Sequence, residues 1–402
     1  MEITHDPRES VRGLQQILVS DTKRIGFLFG AGTSNAVKSG ASNESKIPGI
    51  KEMTDKIINS ITEDNFREAL DKIKEEFIES KTDFYIEYIL SNITQKIMVM
   101  GKEKLCGLTK SDFEQLKSII EDQMIKLVSV HKNKEMFINN LLHCDFAQWI
   151  AQAARKFQIE IFTTNYDYLF EIGLEYYNVT YFDGFVGNFE PFFYCNAVED
   201  LEFLPQFTKL WKLHGSLGWY YDKNRNKVIR RFGDDSTIIV FPSFFKYENS
   251  KKQPYVSFMD RLSRFIKKDD GVLFVCGYSF GDQHINDVLL NALEKTNSSH
   301  VIALYFDDFS EDSHVVKLAM TQSKLSLYGK RSAVIGGKFG NWKLKTEPSK
   351  DDSIIIDLYF DEDAIEPDNE WTGKGTFKLI DFVDFVSFLK YLNYENYINI
   401  KR

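Results

Sequence analysis

The chain reads as an α/β protein with a mainly parallel sheet, a helical insertion and a small C-terminal α+β extension. Three observations carry this. Near-continuous apolar runs of strand length recur at Arg24–Phe29, Ile159–Phe162, Gly271–Cys276 and His300–Phe306, as expected of strands buried on both faces. Amphipathic helical patterns separate them. Several runs end in small or polar residues: LFGAGTS (Leu28–Ser34), IFTTNYD (Ile161–Asp167), LHGS (Leu213–Ser216) and VCGYSFGD (Val275–Asp282). Strand ends of an open parallel sheet line one crevice, where ligands bind.

In chain order, Val11–Leu18 has the spacing of a short helix, and Arg24–Phe29 is the first strand. The GAGTS turn and a polar loop, Lys38–Lys46, lead to Ile47-Pro48-Gly49 and a helix from about Ile50. From there to Phe157 the apolar residues recur at helical spacing, as in Phe77, Phe84, Ile86, Ile89 and Ile93, or Leu116, Ile119, Ile120, Met124 and Leu127. Gly and Pro are nearly absent, so the stretch at about 52–157 reads as a long helical insertion.

After the strand Ile159–Phe162 a helix is expected from Asp167 to Tyr177. Val179–Val228 reads as extended, with LWKLHGSLGWYYD forming a strand and a hairpin. Thr237–Phe241 is a short strand, Val256–Ile266 a helix and His284–Leu293 another. Beyond residue 330 the chain reads as a separate extension, 331–402. It holds an acidic stretch with a strand at Ile354–Tyr359, a turn at Thr372–Gly375, and a last helix with the stripe Phe382, Phe385, Val386, Phe388, Leu389 and Leu392. The stripe fits packing on its own domain or contact with another subunit.

Composition bounds the function. The 402 residues carry a formal charge of −9, which argues against a large nucleic-acid footprint. Cys106, Cys144, Cys195 and Cys276 form no C-x-x-C pair, so neither a cysteine zinc site nor a disulfide framework is expected. Free cysteines suit a reducing cytoplasm. No apolar leader and no run long enough to span a bilayer is present, so no membrane association is expected.

Each strand end has a plain reading and a chemical one. Gly30 and Gly32 fit a tight turn, or a backbone that approaches a ligand and offers N–H groups to an anion, with the Ser34 hydroxyl beside them. Thr163, Thr164, Asn165 and Asp167 fit a helix cap, although the cluster is denser than one cap requires. His214 can accept a proton from a sugar hydroxyl near neutral pH. Gly277 and Ser279 repeat the glycine-plus-hydroxyl pattern. Asp282 is read as the cap of the next helix, and His284 lies in that helix's first turn.

Taken together, the order GAG-x-S, T-x-N-x-D, HG and G-x-S resembles the sirtuin (Sir2-like) superfamily over about Ile25–Asp308, interrupted by the insertion. The resemblance implies a Rossmann-like sheet that binds NAD+ as substrate. Gly30, Ala31, Gly32, Thr33 and Ser34 would line the diphosphate. Thr164, Asn165 and Asp167 would lie by the nicotinamide ribose. His214 would be the general base. Gly277 and Ser279 would contact the phosphate and adenosine side.

The departures are informative. Deacylase-type sirtuins carry two C-x-x-C pairs and a GIPDFR segment. Here the pairs are missing, no metal is expected, and Ile47-Pro48-Gly49 is a partial echo of that segment. The phrases TTNYD, KLHGS and GYSFGD-x-HIN resemble bacterial sirtuin-like NADases of anti-phage defence, and the length resembles the subunit that pairs with a HerA-type hexameric ATPase. This implies an NAD+ hydrolase, with Asn165, His214 and Asp167 catalytic, in a cytoplasmic bacterial homo-oligomer. A protein deacylase or ADP-ribosyltransferase and a non-catalytic NAD or ADP-ribose sensor are the alternatives.

Overall fold

The structure is a computed structural model describing residues 3–222, 224–231, 253–349, 352, 355–364 and 370–401, with side chains of the last helix described through Asn393. Its centre is a ten-stranded sheet in the order β1-β14-β13-β12-β11-β10-β2-β3-β7-β4. The strands are β1 (Thr4–His5), β2 (Arg24–Phe29), β3 (Glu160–Thr163), β4 (Tyr181–Phe182), β7 (Thr208–Lys212), β10 (Gly271–Cys276), β11 (His300–Leu304), β12 (Leu325–Tyr328), β13 (Ser332–Ile335) and β14 (Lys338–Trp342). Every pairing from β12 across to β4 is parallel, and β13 alone runs antiparallel to its neighbours. The mainly parallel α/β architecture expected from the sequence is thus the observed one.

Strand order reverses about the centre. From β2 the chain builds outward through β3 and β7, and later returns to place β10 on the other side of β2. Such a reversal opens a crevice at the carboxyl ends of the strands. Thr164 N–H donates to the Phe29 carbonyl (3.0 Å) and Leu213 N–H to the Thr163 carbonyl (2.8 Å), so the ladder aligns those strand ends just before the polar loops begin.

The apolar runs are continuous because both faces are covered, with side chains alternating between them. Phe27 and Phe29 pack on one face with Phe146, Trp149, Phe170 and Phe274; Leu28 packs on the other with Phe162, Trp211 and Phe258. The first face is covered by α1 (Pro7–Leu18), α7 (Leu142–Gln152), α8 (Leu169–Tyr176) and α13 (Phe382–Lys401). The second is covered by α10 (Tyr255–Lys267), α11 (Gln283–Glu294) and α12 (His314–Thr321). Each fully buried Phe contributes ~1.5–3 kcal/mol. No described helix is long and apolar enough to cross a membrane.

The insertion is helical as expected: α3 (Ile50–Ser60), α4 (Asp64–Glu79), α5 (Ile86–Val99) and α6 (Lys110–Val128) form their own apolar cluster beside the sheet. Its last helix, α7, packs on the sheet itself.

Four expectations need correction. The stretch LWKLHGSLGWYYD is not a hairpin. β7 ends at Lys212 in the main sheet, and β8 (Trp219–Asp222) belongs to a separate four-stranded sheet, β5-β6-β9-β8. Gly215 (φ 90°) and Gly218 (φ 76°) turn the chain away between them, and β8 pairs instead with β9 (Lys227–Arg230). That small sheet also holds β5 (Phe185–Val186) and β6 (Phe192–Phe193), and a short helix, α9 (Cys195–Glu199), interrupts the stretch expected to be extended. The division at residue 330 runs through the main sheet, because β12 and β13 pair across it (Tyr328 with Ala333). Ile355–Tyr359 forms a helical turn rather than a strand, followed by β15 (Phe360–Glu362), which pairs with β16 (Gly375–Phe377). Ile354 and the expected strand Thr237–Phe241 lie outside the described residues. The stripe of α13 is buried against the chain's own core, Phe385 meeting Phe27 and Phe274. It is therefore not left over for another subunit.

Candidate active site

The four polar strand ends meet at one cavity of about 850 Å³. After β2 the backbone enters a five-residue helix, α2 (Ala31–Asn35), rather than an open turn. Gly30 N–H donates to the Cys276 carbonyl (3.1 Å), and Gly32 N–H to the Gly277 carbonyl (3.0 Å). A Cβ on Gly30 would stand 2.4 Å from the Gly277 oxygen, one on Gly32 2.7 Å from the Gly277 Cα, and one on Gly277 (φ 66°) 2.7 Å from the Thr33 nitrogen. The glycines therefore let two loops interlock, and the N–H groups of Gly30 and Gly32 are spent on that contact instead of facing an anion.

Asn165 is fastened by its own amide. Its Nδ2 donates to the Gly30 carbonyl (3.1 Å), Thr33 Oγ1 (3.1 Å) and Ser34 Oγ (2.7 Å). Its Oδ1 makes no hydrogen bond among the described residues, so this wall residue offers the cavity an acceptor. Ser34 Oγ donates to Asp167 Oδ2 (2.7 Å), and Asp167 Oδ1 accepts from Leu169 N–H (3.0 Å) at the start of α8. Asp167 is thus a helix-start acceptor and a brace for Ser34 at once.

His214 and Asp282 line the same cavity. His214 Nε2 lies 2.9 Å from Asp282 Oδ2, with both side chains buried. The other carboxylate oxygen, Oδ1, accepts from His284 N–H (3.0 Å) and caps α11. The cap expected from sequence is present, and the same carboxylate also holds the imidazole. An ionised carboxylate only accepts, so the hydrogen of this contact sits on Nε2.

Of the residues expected to form the site, Ala31, Gly32, Ser34, Thr164, Asn165, Asp167, His214, Gly277 and Ser279 line this cavity. Gly30 and Thr33 do not. They sit behind it, where Thr33 Oγ1 donates to the Gly30 carbonyl (2.9 Å).

Several lining residues escaped the sequence reading. Ile47 and Pro48 lie on the wall, held by Ile47 N–H donating to the Ser34 carbonyl (2.9 Å). The Ile-Pro-Gly echo was the available signal. The insertion contributes Asp83, Tyr85, Glu87 and Tyr88, at and before the start of α5. Nothing in a helical repeat marks those positions. Tyr166, half-buried beside Glu87, has its phenol pushed well above the ordinary range by desolvation.

Beneath this wall lies a buried cation. Lys212, at the end of β7, donates through Nζ to the Asp167 carbonyl and pairs with Glu171 Oε1 at 2.9 Å. Burial pushes the Glu171 carboxyl up to about 7, partly offset by Lys212.

With this geometry in place, the comparison with known families is direct. Residues 159–325 match the SIR2-like domain family. The matched stretch holds the Asn165, His214 and Gly277 loops, while the GAGTS segment lies outside it. The match supports a place in the Sir2-like superfamily and an NAD-related function in the broad sense. No match to a curated protein was found.

Proposed function

We propose that the protein is an NAD+ hydrolase that cleaves the nicotinamide–ribose bond, releasing nicotinamide and ADP-ribose. The observation that carries this reading is the convergence of Asn165 and His214, from separate loops, on one cavity of about 850 Å³ at the sheet's switch point. That volume lies within the range of small-molecule and cofactor sites.

Cleavage breaks the C1′–N bond. The bonding pair leaves with nicotinamide, and positive charge develops on the ribose as in glycoside hydrolysis. Water then adds and loses a proton. Asn165, held rigidly by its Nδ2, presents Oδ1 as acceptor for a ribose hydroxyl or for the attacking water. His214 Nδ1 takes the proton, while Asp282 holds Nε2–H and stabilises the resulting imidazolium. Asp167 acts through Ser34, keeping α2 against the sugar. A positioned base of this kind contributes about 10²–10⁴-fold.

We further propose that NAD+ depletion serves bacterial anti-phage defence. The proposed setting is the cytoplasm, in a homo-oligomer that pairs with a HerA-type ATPase. The support is the resemblance of TTNYD, KLHGS and GYSFGD-x-HIN to that branch, which is an analogy. The insertion residues on the cavity wall give a partner a route to gate turnover.

The test is mass spectrometry of the products from NAD+ with and without an acyl-lysine peptide. Free ADP-ribose in both, abolished in His214→Ala, supports the hydrolase. O-acyl-ADP-ribose would replace it with a deacylase, and binding of NAD+ with no turnover, alone and with partners, would replace it with a sensor.

A further inference from the structure

We infer that Lys212 is a positioning residue that sets the separation of Asn165 and His214. Lys212 ends β7, two residues before His214, and its side chain is buried. Its Nζ donates to the carbonyl of Asp167, two residues after Asn165. The same ammonium pairs with Glu171 Oε1 at 2.9 Å and lies 5.5 Å from the centre of the Tyr168 ring. These contacts all fall within residues 167–171, where the Asn165 loop passes into α8. A side chain from one loop of the site thus grips the other.

The grip adds to a backbone lacing of the same two loops. Leu213 N–H donates to the Thr163 carbonyl (2.8 Å), Leu217 N–H to the Tyr166 carbonyl (2.9 Å), and the Tyr168 hydroxyl to the Leu217 carbonyl. Between Leu213 and Leu217 the chain turns sharply at Gly215 (φ 90°), and His214 sits in that turn. The Lys212 ammonium is a stronger donor than a neutral N–H, so its hold on the Asp167 carbonyl is firm.

Burying a cation is costly, and Glu171 offsets the cost. An apolar pair of the same volume would often be as stable. Stability alone therefore does not account for the pair, whereas a donor fixed on the Asp167 carbonyl does. Lys212 lines a neighbouring cavity of about 470 Å³ rather than the larger one, so it acts through the loops and not on a dinucleotide. A displacement of about 1 Å at a reacting centre costs about 100-fold in rate.

The kinetic part of the test rests on the NAD+ reading; the exchange part does not. Lys212→Met keeps the length of the side chain and removes the donor. Burial already raises the Glu171 carboxyl to about 7, so without Lys212 it takes up a proton and the variant can fold. The amides of Leu213 and Leu217 are expected to exchange hydrogen at least about tenfold faster than in the wild type, while those of β10 keep their rates, as read by NMR. In an active enzyme kcat falls about ten- to hundredfold, with KM within about threefold. Lys212→Met with Glu171→Met leaves no buried charge and is the second variant. It is expected to fold by circular dichroism and to keep both defects, because the donor to Asp167 is still missing. Recovery of kcat in the double variant would reduce the pair to a structural ion pair and overturn the inference. Unchanged exchange at Leu213 and Leu217, or a kcat for Lys212→Met within about twofold of wild type, overturns it too. A wild type that releases no nicotinamide refutes the NAD+ reading alone, and the exchange rates then decide whether Lys212 holds the two loops.

Discussion

The His214–Asp282 contact makes the sharpest prediction, because the structure gives Asp282 two separable duties. One oxygen caps α11 through His284 N–H at 3.0 Å; the other holds His214 Nε2 at 2.9 Å. Asn caps about as well as Asp. Asp282→Asn therefore keeps the cap, and thermal stability is expected to change by only a few tenths of a kcal/mol. The duty toward His214 does not survive. A neutral amide cannot stabilise the imidazolium, and its N–H₂ favours the tautomer with the lone pair on Nε2. A hydrogen bond to a charged group contributes about 1.5–3 kcal/mol. At 1.36 kcal/mol per decade, its loss lowers kcat by roughly 10- to 150-fold. KM should change little, since Asp282 acts through His214 on the reacting centre. Asp282→Ala is expected to show the same fall in kcat plus a further loss of about 1 kcal/mol in stability from the missing cap. The assay is nicotinamide release over a substrate series, with melting curves on the same samples. A kcat for Asp282→Asn within twofold of wild type would refute the orienting role.

Three further outcomes follow from the same geometry. Asn165→Ala should lower kcat by at least about tenfold and lower Tm as well, because Nδ2 ties Gly30, Thr33 and Ser34 together; steady-state kinetics and calorimetry read the two effects separately. Gly277→Ala should destabilise by about 2 kcal/mol or more, since φ is 66° and the new Cβ would meet the Thr33 nitrogen at 2.7 Å; denaturant unfolding measures it. His143 is buried against Phe170 with neither ring nitrogen hydrogen-bonded among the described residues, and burial lowers its pKa to about 4 from 6.5. The folded state then binds fewer protons than the unfolded state below pH 6.5, so stability falls as pH drops from 6.5 towards 4, by about 3 kcal/mol. His143→Leu should remove this part of the acid sensitivity. The burial-raised Glu171 acts in the opposite sense, gaining stability towards low pH, but it is common to both proteins and cancels in the difference. Matched pH–stability curves for wild type and variant test this.

Much of the fold was legible because its signals are local. Phe27-Leu28-Phe29 faces both ways in a covered sheet, and no polar residue interrupts the run. The stripe from Phe382 to Leu392 could be read as helical, but its partner could not, since α7 lies more than two hundred residues earlier. The β13–β14 hairpin had a signal that went unread: Gly336-Gly337, with φ of 59° and 76°, is a two-residue turn of the kind that joins antiparallel strands.

The site shows the same divide. Strand ends and their polar residues can be located from sequence, whereas their mutual bonds cannot. Asp282 looks like a cap because the cap is three residues of local chain. Its bond to His214 spans 68 residues and depends on β7 and β10 ending at the same edge. The glycines of GAGTS show the same limit. Sequence shows that a backbone must come close there, but not that the Gly277 loop of the same chain packs against it.

The central claim is that Asn165 and His214 hold the nicotinamide ribose of NAD+ between them, and a structure of the His214→Ala variant saturated with NAD+ tests it most directly. The expected result is a dinucleotide in the larger cavity, with a nicotinamide-ribose hydroxyl or its water within hydrogen-bond distance of Asn165 Oδ1 and the diphosphate beside Ser34 and Ser279. A dinucleotide bound elsewhere, or bound with its nicotinamide ribose away from Asn165, would contradict it.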